Sequence, residues 1–160
     1  MKEKREKRKE GGTIANTRVS DLLQILVYLK VHQGEEVSSQ ILASSLKTNP
    51  SQVRKMIAQL RAADILAARQ NNRYDNFARD LDQITVLDVY RATAPKNPFL
   101  VPDQETSGQC SVGVAFPEVI TKHFAEVQVG IEQRLDQITV QQLVDETLAN
   151  IAEHENKKEA

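Results

Sequence analysis

Three observations predict a mostly α-helical chain carrying one small β-hairpin. Apolar residues recur at helical spacing through most of the 160 residues, and two short runs about a polar turn, around residues 65–78, break that pattern. Aromatic residues make up only 4% and Trp is absent, so Leu, Ile, Val and Ala must build the core, a bias toward helix. The hydrophobic fraction of 40% is enough for a packed core, in one domain with an appendage or two small interdependent ones.

Residues 1–12 alternate Lys or Arg with Glu and end in Gly11-Gly12, the composition of a disordered charged tail. A solvated tail and a basic arm that touches phosphates both fit this segment. From Val19 to Val31 the chain is densely apolar and free of Gly and Pro, which predicts a buried helix ended by Gly34. Ser38 or Ser39 can N-cap a short helix carrying Ile41, Leu42 and Leu46.

Asn49-Pro50 is a sharper start signal, because Asn accepts from an orphan backbone N–H and Pro suits the first helical position. Val53, Met56, Ile57 and Leu60 then recur at i, i+3, i+4 and i+7 as one buried stripe. The opposite face presents Ser51, Lys55, Ala58 and Ala62, flanked by Gln52 and Arg54. Small residues among polar and basic ones allow close approach to another surface, although an ordinary solvated face has the same look. Ile65 to Arg69 reads as a strand, Gln70 to Asn72 as a polar turn, and Tyr74 to Ala78 as a return strand. Three helices followed by a hairpin outline a winged helix-turn-helix.

The second half repeats one hexapeptide, Leu-Asp-Gln-Ile-Thr-Val, at 81–86 and again at 135–140. Thr85 with Asp88, and Thr139 with Gln142, resemble helix N-caps with a polar residue three positions on, so each copy marks a helix start. Between them runs a loop of Pro95, Pro98, Pro102, Gly108, Cys110 and Gly113, after which Phe116-Pro117 is expected to open a long helix. Phe116, Ile120, Phe124, Val127, Ile131, Leu135 and Ile138 form one stripe along it. That stripe either covers the chain's own core or pairs with a second protomer. The helix is long for a core of this size, which favours pairing.

The net charge of −1 conceals an asymmetry. Residues 1–16 carry +3, residues 17–80 another +3, and residues 81–160 carry −7. Between Lys47 and Arg73 six basic residues face the single acid Asp64, an electrostatic footprint for a polyanion. No apolar run approaches the roughly 20 residues needed to span a bilayer. The basic N-terminus lacks the apolar run of a secretory signal, and the one cysteine fits a reducing cytoplasm. No nucleophile motif, phosphate-cradling glycine loop or paired-carboxylate signature points to an enzyme. His32, His123 and His154 have no metal-ligand spacing with one another or with Cys110.

Taken together, residues 17 to about 150 resemble the Rrf-two family of bacterial winged-helix regulators, which includes an iron–sulfur-cluster regulator and cysteine-metabolism repressors. The resemblance is carried by residues 49–61 (NPSQVRKMIAQLR), 84–92 (ITVLDVYRA), 110–113 (CSVG) and 138–143 (ITVQQL). With residues 1–16 read from composition as a disordered charged tail, the resemblance implies a winged helix-turn-helix over 17–83, a connecting helix and long loop over 84–115, and a dimerisation helix with a C-terminal helix over 116–160. It also implies a homodimer whose long helix, about 117–136, crosses to the partner. The implied partner is double-stranded DNA with a roughly palindromic operator, and the implied role is a transcription repressor answering to a small-molecule or protein effector. By resemblance, Ser51, Gln52, Arg54 and Lys55 face the major groove and Arg69 reaches the minor groove, with Arg73 beside it. Arg and Lys suit guanine acceptors, and an Arg suits a narrow A·T-rich minor groove.

Two features depart from the family pattern. The turn Gln70-Asn71-Asn72-Arg73-Tyr74 lacks the usual wing glycines, which keeps open a second reading, a winged-helix protein-interaction module that no longer binds DNA. Many relatives hold an iron–sulfur cluster through three closely spaced cysteines, and Cys110 alone cannot hold one by that scheme. The chain is therefore expected to belong to a cluster-free subgroup with no cofactor. Cys110 is read either as a small, partly buried loop residue or as a thiol switch. Nothing basic stands near it in sequence to lower its pKa.

Overall fold

The computed structural model describes residues 11–68, 74, 76–94 and 98–159. Helix α1 spans Gly11–Val31 and buries Leu22, Ile25, Leu26 and Leu29 completely, one face at i, i+3, i+4 and i+7. It starts earlier than the sequence suggests, so residues 11–16, assigned above to a disordered tail, are helical. No proline lies between Gly11 and Val31, and a helix nucleated by packing extends at one hydrogen bond per residue. The helix ends at Val31, and in the turn that follows Gly34 takes φ +97°, a left-handed conformation suited to glycine.

Helix α2 spans Ser39–Ser45, and of the two candidate caps Ser38 is the one that acts, its hydroxyl accepting from the Ile41 N–H at 3.2 Å. Lys47 at φ +50° turns the chain into helix α3, Pro50–Ala62. Asn49 Oδ1 accepts from the Gln52 N–H at 3.0 Å and Pro50 opens the helix, as the sequence predicts. Val53, Met56, Ile57 and Leu60 are buried against α1 and α2.

The expected hairpin is reduced to one antiparallel bridge, Leu66 with Phe77, among the described residues. The Ala67 N–H donates to Asn76 O at 2.7 Å and the Ala78 N–H to Ile65 O at 3.1 Å. The Arg79 guanidinium fastens the returning chain: Nε donates to Asp64 O, Nη1 to Gln83 O, and Nη2 pairs with Asp88 Oδ2 at 3.4 Å.

A 3-10 turn at Leu81–Gln83 leads into helix α4, Val86–Ala92, which Thr85 and Asp88 start with a reciprocal capping box. Helix α5 spans Ser111–Asp136 and helix α6 spans Val140–Glu159. Thr139 caps α6 as expected, accepting from the Gln142 N–H at 3.2 Å. The two hexapeptide copies do more than start helices, because they pair with each other. Thr85 and Thr139 form an antiparallel bridge, the Val86 N–H donates to Ile138 O, and the Val140 N–H donates to Ile84 O, both at 2.8 Å. Ile84 and Val140 are fully buried beside this bridge, which joins α6 to the core that α1, α3 and α4 share.

The sequence reading places the start of the long helix too late. Pro117 stands seven residues inside α5 rather than at its first turn. An interior proline removes the N–H that would serve the carbonyl four residues earlier, here Gly113 O. That carbonyl is served instead by the Thr106 hydroxyl, donated from the preceding loop. The loop runs so close that a Cβ on Gly113 would lie 2.6 Å from Ser107 O, so this position requires glycine.

Candidate nucleic-acid interface

Helix α3 presents two different faces. Its buried stripe packs inward, while Ser51, Arg54, Lys55, Ala58 and Ala62 are exposed and Gln52 is half-buried. The sequence-predicted residues Ser51, Gln52, Arg54 and Lys55 therefore share one accessible helical face, beginning at the capped N-terminal turn. Arg54 Nη1 donates to Ser39 Oγ at 3.3 Å, so one basic side chain on that face is already tied to α2. The far end of α3 is held from α1, where Arg18 Nη2 and Nε donate to Gln59 Oε1 at 2.9 and 3.2 Å. The Arg61 guanidinium lies 5.8 Å from the centre of the Tyr74 ring, which links α3 to the hairpin segment.

Arg69 and Arg73, the expected wing contacts, lie outside the described residues. The frame that leads to them is the Leu66–Phe77 bridge.

Cys110 is exposed and immediately precedes α5, not part-buried in a loop. Its thiol is held below the ordinary value by the backbone N–H of Gly113 first and that of Val112 second, donors of the first helical turn that stabilise a thiolate. No basic neighbour in sequence signals this, and Phe116-Pro117 has the look of the helix start. The rate of Cys110 alkylation is expected to reach half its maximum at a lower pH in the folded protein than in urea. Equal midpoints would show that the helix start has no hold on the thiol.

Among the described residues no group of three or more His, Cys, Asp or Glu side chains converges. His32 lies 3.0 Å from Glu35 and His123 lies 3.6 Å from Glu126, each on its own short stretch of chain.

The model of the Rrf2 family, described as an iron-dependent transcriptional regulator, matches residues 15–146. The chain belongs to the Rrf2 family of transcriptional regulators. Its curated relative YwnA of Bacillus subtilis (strain 168), named as an HTH-type transcriptional regulator, is 32% identical over 120 residues, covering 75% of this chain and 89% of YwnA. A crystal structure described as that of a DNA binding protein is 29% identical, with a TM-score of 0.58 over 76% of this chain and 97% of the other. A transcriptional regulator from Lactobacillus plantarum shares the fold at 20% identity and a TM-score of 0.65, covering 88% and 97%. The family and YwnA are described as transcriptional regulators, and the 29% identical crystal structure as a DNA binding protein. No helix among the described residues is long and apolar enough to cross a membrane.

Among the described residues of this Rrf2 chain no group of three or more His, Cys, Asp or Glu side chains converges to take the iron of the family description. A cluster held by three closely spaced cysteines needs more thiolates than the one cysteine of the sequence. The residues present do not fit the group.

Proposed function

We propose that this Rrf2 protein is a cytoplasmic, homodimeric, sequence-specific DNA-binding repressor that works without an iron–sulfur cluster. The observation that carries the reading is the division of α3, whose apolar stripe is buried while Ser51, Arg54 and Lys55 stand exposed within the basic segment from Lys47 to Arg73. An α-helix of this width fits the major groove, where Arg and Lys pair with guanine acceptors and Ser bonds bases or phosphates. In this reading residues 17–83 form the DNA-binding unit and Arg69 and Arg73 meet the duplex from the wing.

Dimerisation is supported by α5, in which Pro117 is the buried residue. Phe116 is 54% exposed and Val127 44%, while Ile120, Phe124, Ile131 and Leu135 are half-buried. A soluble chain rarely leaves so long an apolar stripe in water, and a second copy of α5 would cover it. Two-fold pairing then makes the operator roughly palindromic, with half-sites about one helical turn apart. An effector, small molecule or protein, would bias the pair between DNA-bound and free forms.

The test compares the parent with Phe116→Ser/Val127→Ser in sedimentation and in duplex binding. The parent is expected to sediment at twice its 18.0 kDa chain mass. The variant is expected to sediment as a monomer and to bind a two-half-site duplex at least about tenfold more weakly, since linked sites gain from effective concentration. A monomeric parent that still binds the duplex would overturn the dimer part of the reading.

A further inference from the structure

We infer that Ser39 is a positioning residue that presents Arg54 to the base edges of the major groove, which rests on the DNA-binding reading above. Ser39 is 6% exposed, the one polar side chain that is buried among the described residues. Its hydroxyl lies 3.3 Å from Arg54 Nη1, which donates to it, and donates in turn to Gln40 Oε1 at 3.4 Å. Ser39 does not cap α2, because Ser38 does that. The hydroxyl therefore has no role in starting the helix, and alanine would serve the helix at least as well. Its polar partners are Arg54 on α3 and its own neighbour Gln40.

The geometry of the guanidinium makes the contact useful. Arginine offers five N–H donors in a planar fork. The bond to Ser39 uses Nη1, which leaves the Nε–Nη2 edge free, and that edge can make the bidentate pair with guanine N7 and O6. A free arginine side chain loses much rotamer freedom when a base fixes it, and a bond made in advance reduces that loss. Because α2 packs against α3, the anchor moves with the helix that enters the groove. Ser39 thus acts through Arg54, touching no base itself.

The experiment uses the full chain and the duplex that it enriches from a randomised pool. Binding to that duplex, and to every single-base variant of it, is measured for the parent, Ser39→Ala, Arg54→Ala and the double variant. Thermal unfolding of each protein is recorded alongside. Ser39→Ala is expected to weaken cognate binding about fivefold, the effect of one modest hydrogen bond, while leaving binding to scrambled duplex unchanged. It is expected to relax base preference at the same positions as Arg54→Ala, and to have no further effect once Arg54 is alanine. A Ser39→Ala protein that keeps the parental base preferences, or that loses the same amount on the Arg54→Ala background, overturns the inference. So does an equal loss on cognate and scrambled duplex, which marks a merely structural role. An Arg54→Ala protein with the parental preferences also overturns it, while the DNA-binding reading stands. If the parent enriches no duplex at all, the DNA-binding reading itself has failed.

Discussion

Arg54→Ala/Lys55→Ala is expected to lower affinity for the cognate duplex by about 30-fold to 25,000-fold and to leave the protein folded. Each side chain stands on the exposed face of α3, so its loss opens no cavity in the core. Losing a base-reading Arg or Lys costs about 1–3 kcal/mol, and two such losses sum to about 2–6 kcal/mol. The two are adjacent in sequence, so the sum is a guide and a cycle with both single variants gives the coupling. Binding to scrambled duplex should fall much less, and its dependence on salt should become shallower as phosphate contacts are lost. Fluorescence anisotropy at two salt concentrations, with circular dichroism as the folding control, checks all of this. A double variant with parental affinity would remove α3 from the interface.

The second large effect concerns stability. Ile84→Ala is expected to cost about 2–5 kcal/mol, the range for truncating a fully buried aliphatic side chain. Ile84 is 0% exposed and lies where the two hexapeptide copies pair, its carbonyl accepting from the Val140 N–H at 2.8 Å. The loss should therefore loosen the seat of α6 as well as the core around α1 and α4. Ile41→Ala is the control, since Ile41 is 42% exposed and its truncation should cost within about 0.5 kcal/mol. Urea unfolding of both variants at one protein concentration decides the matter. Equal costs would mean that the hexapeptide pairing is not where the chain is held together.

The contrast between α3 and α5 shows what the sequence made legible. Helix α3 can be read almost to the residue because its signals are local: Asn49 caps it, Pro50 opens it, and its stripe runs at 3, 4 and 7. The start of α5 is misread because its signal is not local. Pro117 has the look of a first-turn proline, and only the Thr106 hydroxyl, brought in from the loop, makes it tolerable seven residues into a helix. That error hides Cys110, whose lowered pKa comes from N–H groups at the true helix start and not from any charged neighbour. The tail is drawn too long for a related reason, since α1 extends back to Gly11 on the strength of packing further along the chain.

The hexapeptide repeat is half legible. Both threonines act as caps, as read from the sequence. Their pairing across the fold cannot be read, because a bridge between residues so far apart leaves no periodicity behind. Four of the six residues expected to meet DNA share one face of α3, and the tie from Ser39 to Arg54 joins two helices in a way that spacing does not reveal. The wing pair Arg69 and Arg73 stays an expectation drawn from the resemblance.

The central claim is that an Rrf2 dimer reads DNA through α3, and sequencing the duplexes retained from a randomised pool tests it most directly. The parent protein is expected to enrich a roughly palindromic sequence, and Arg54→Ala/Lys55→Ala to lose that enrichment. No enrichment by the parent even at low salt would contradict the claim and favour a winged-helix module that binds a protein instead.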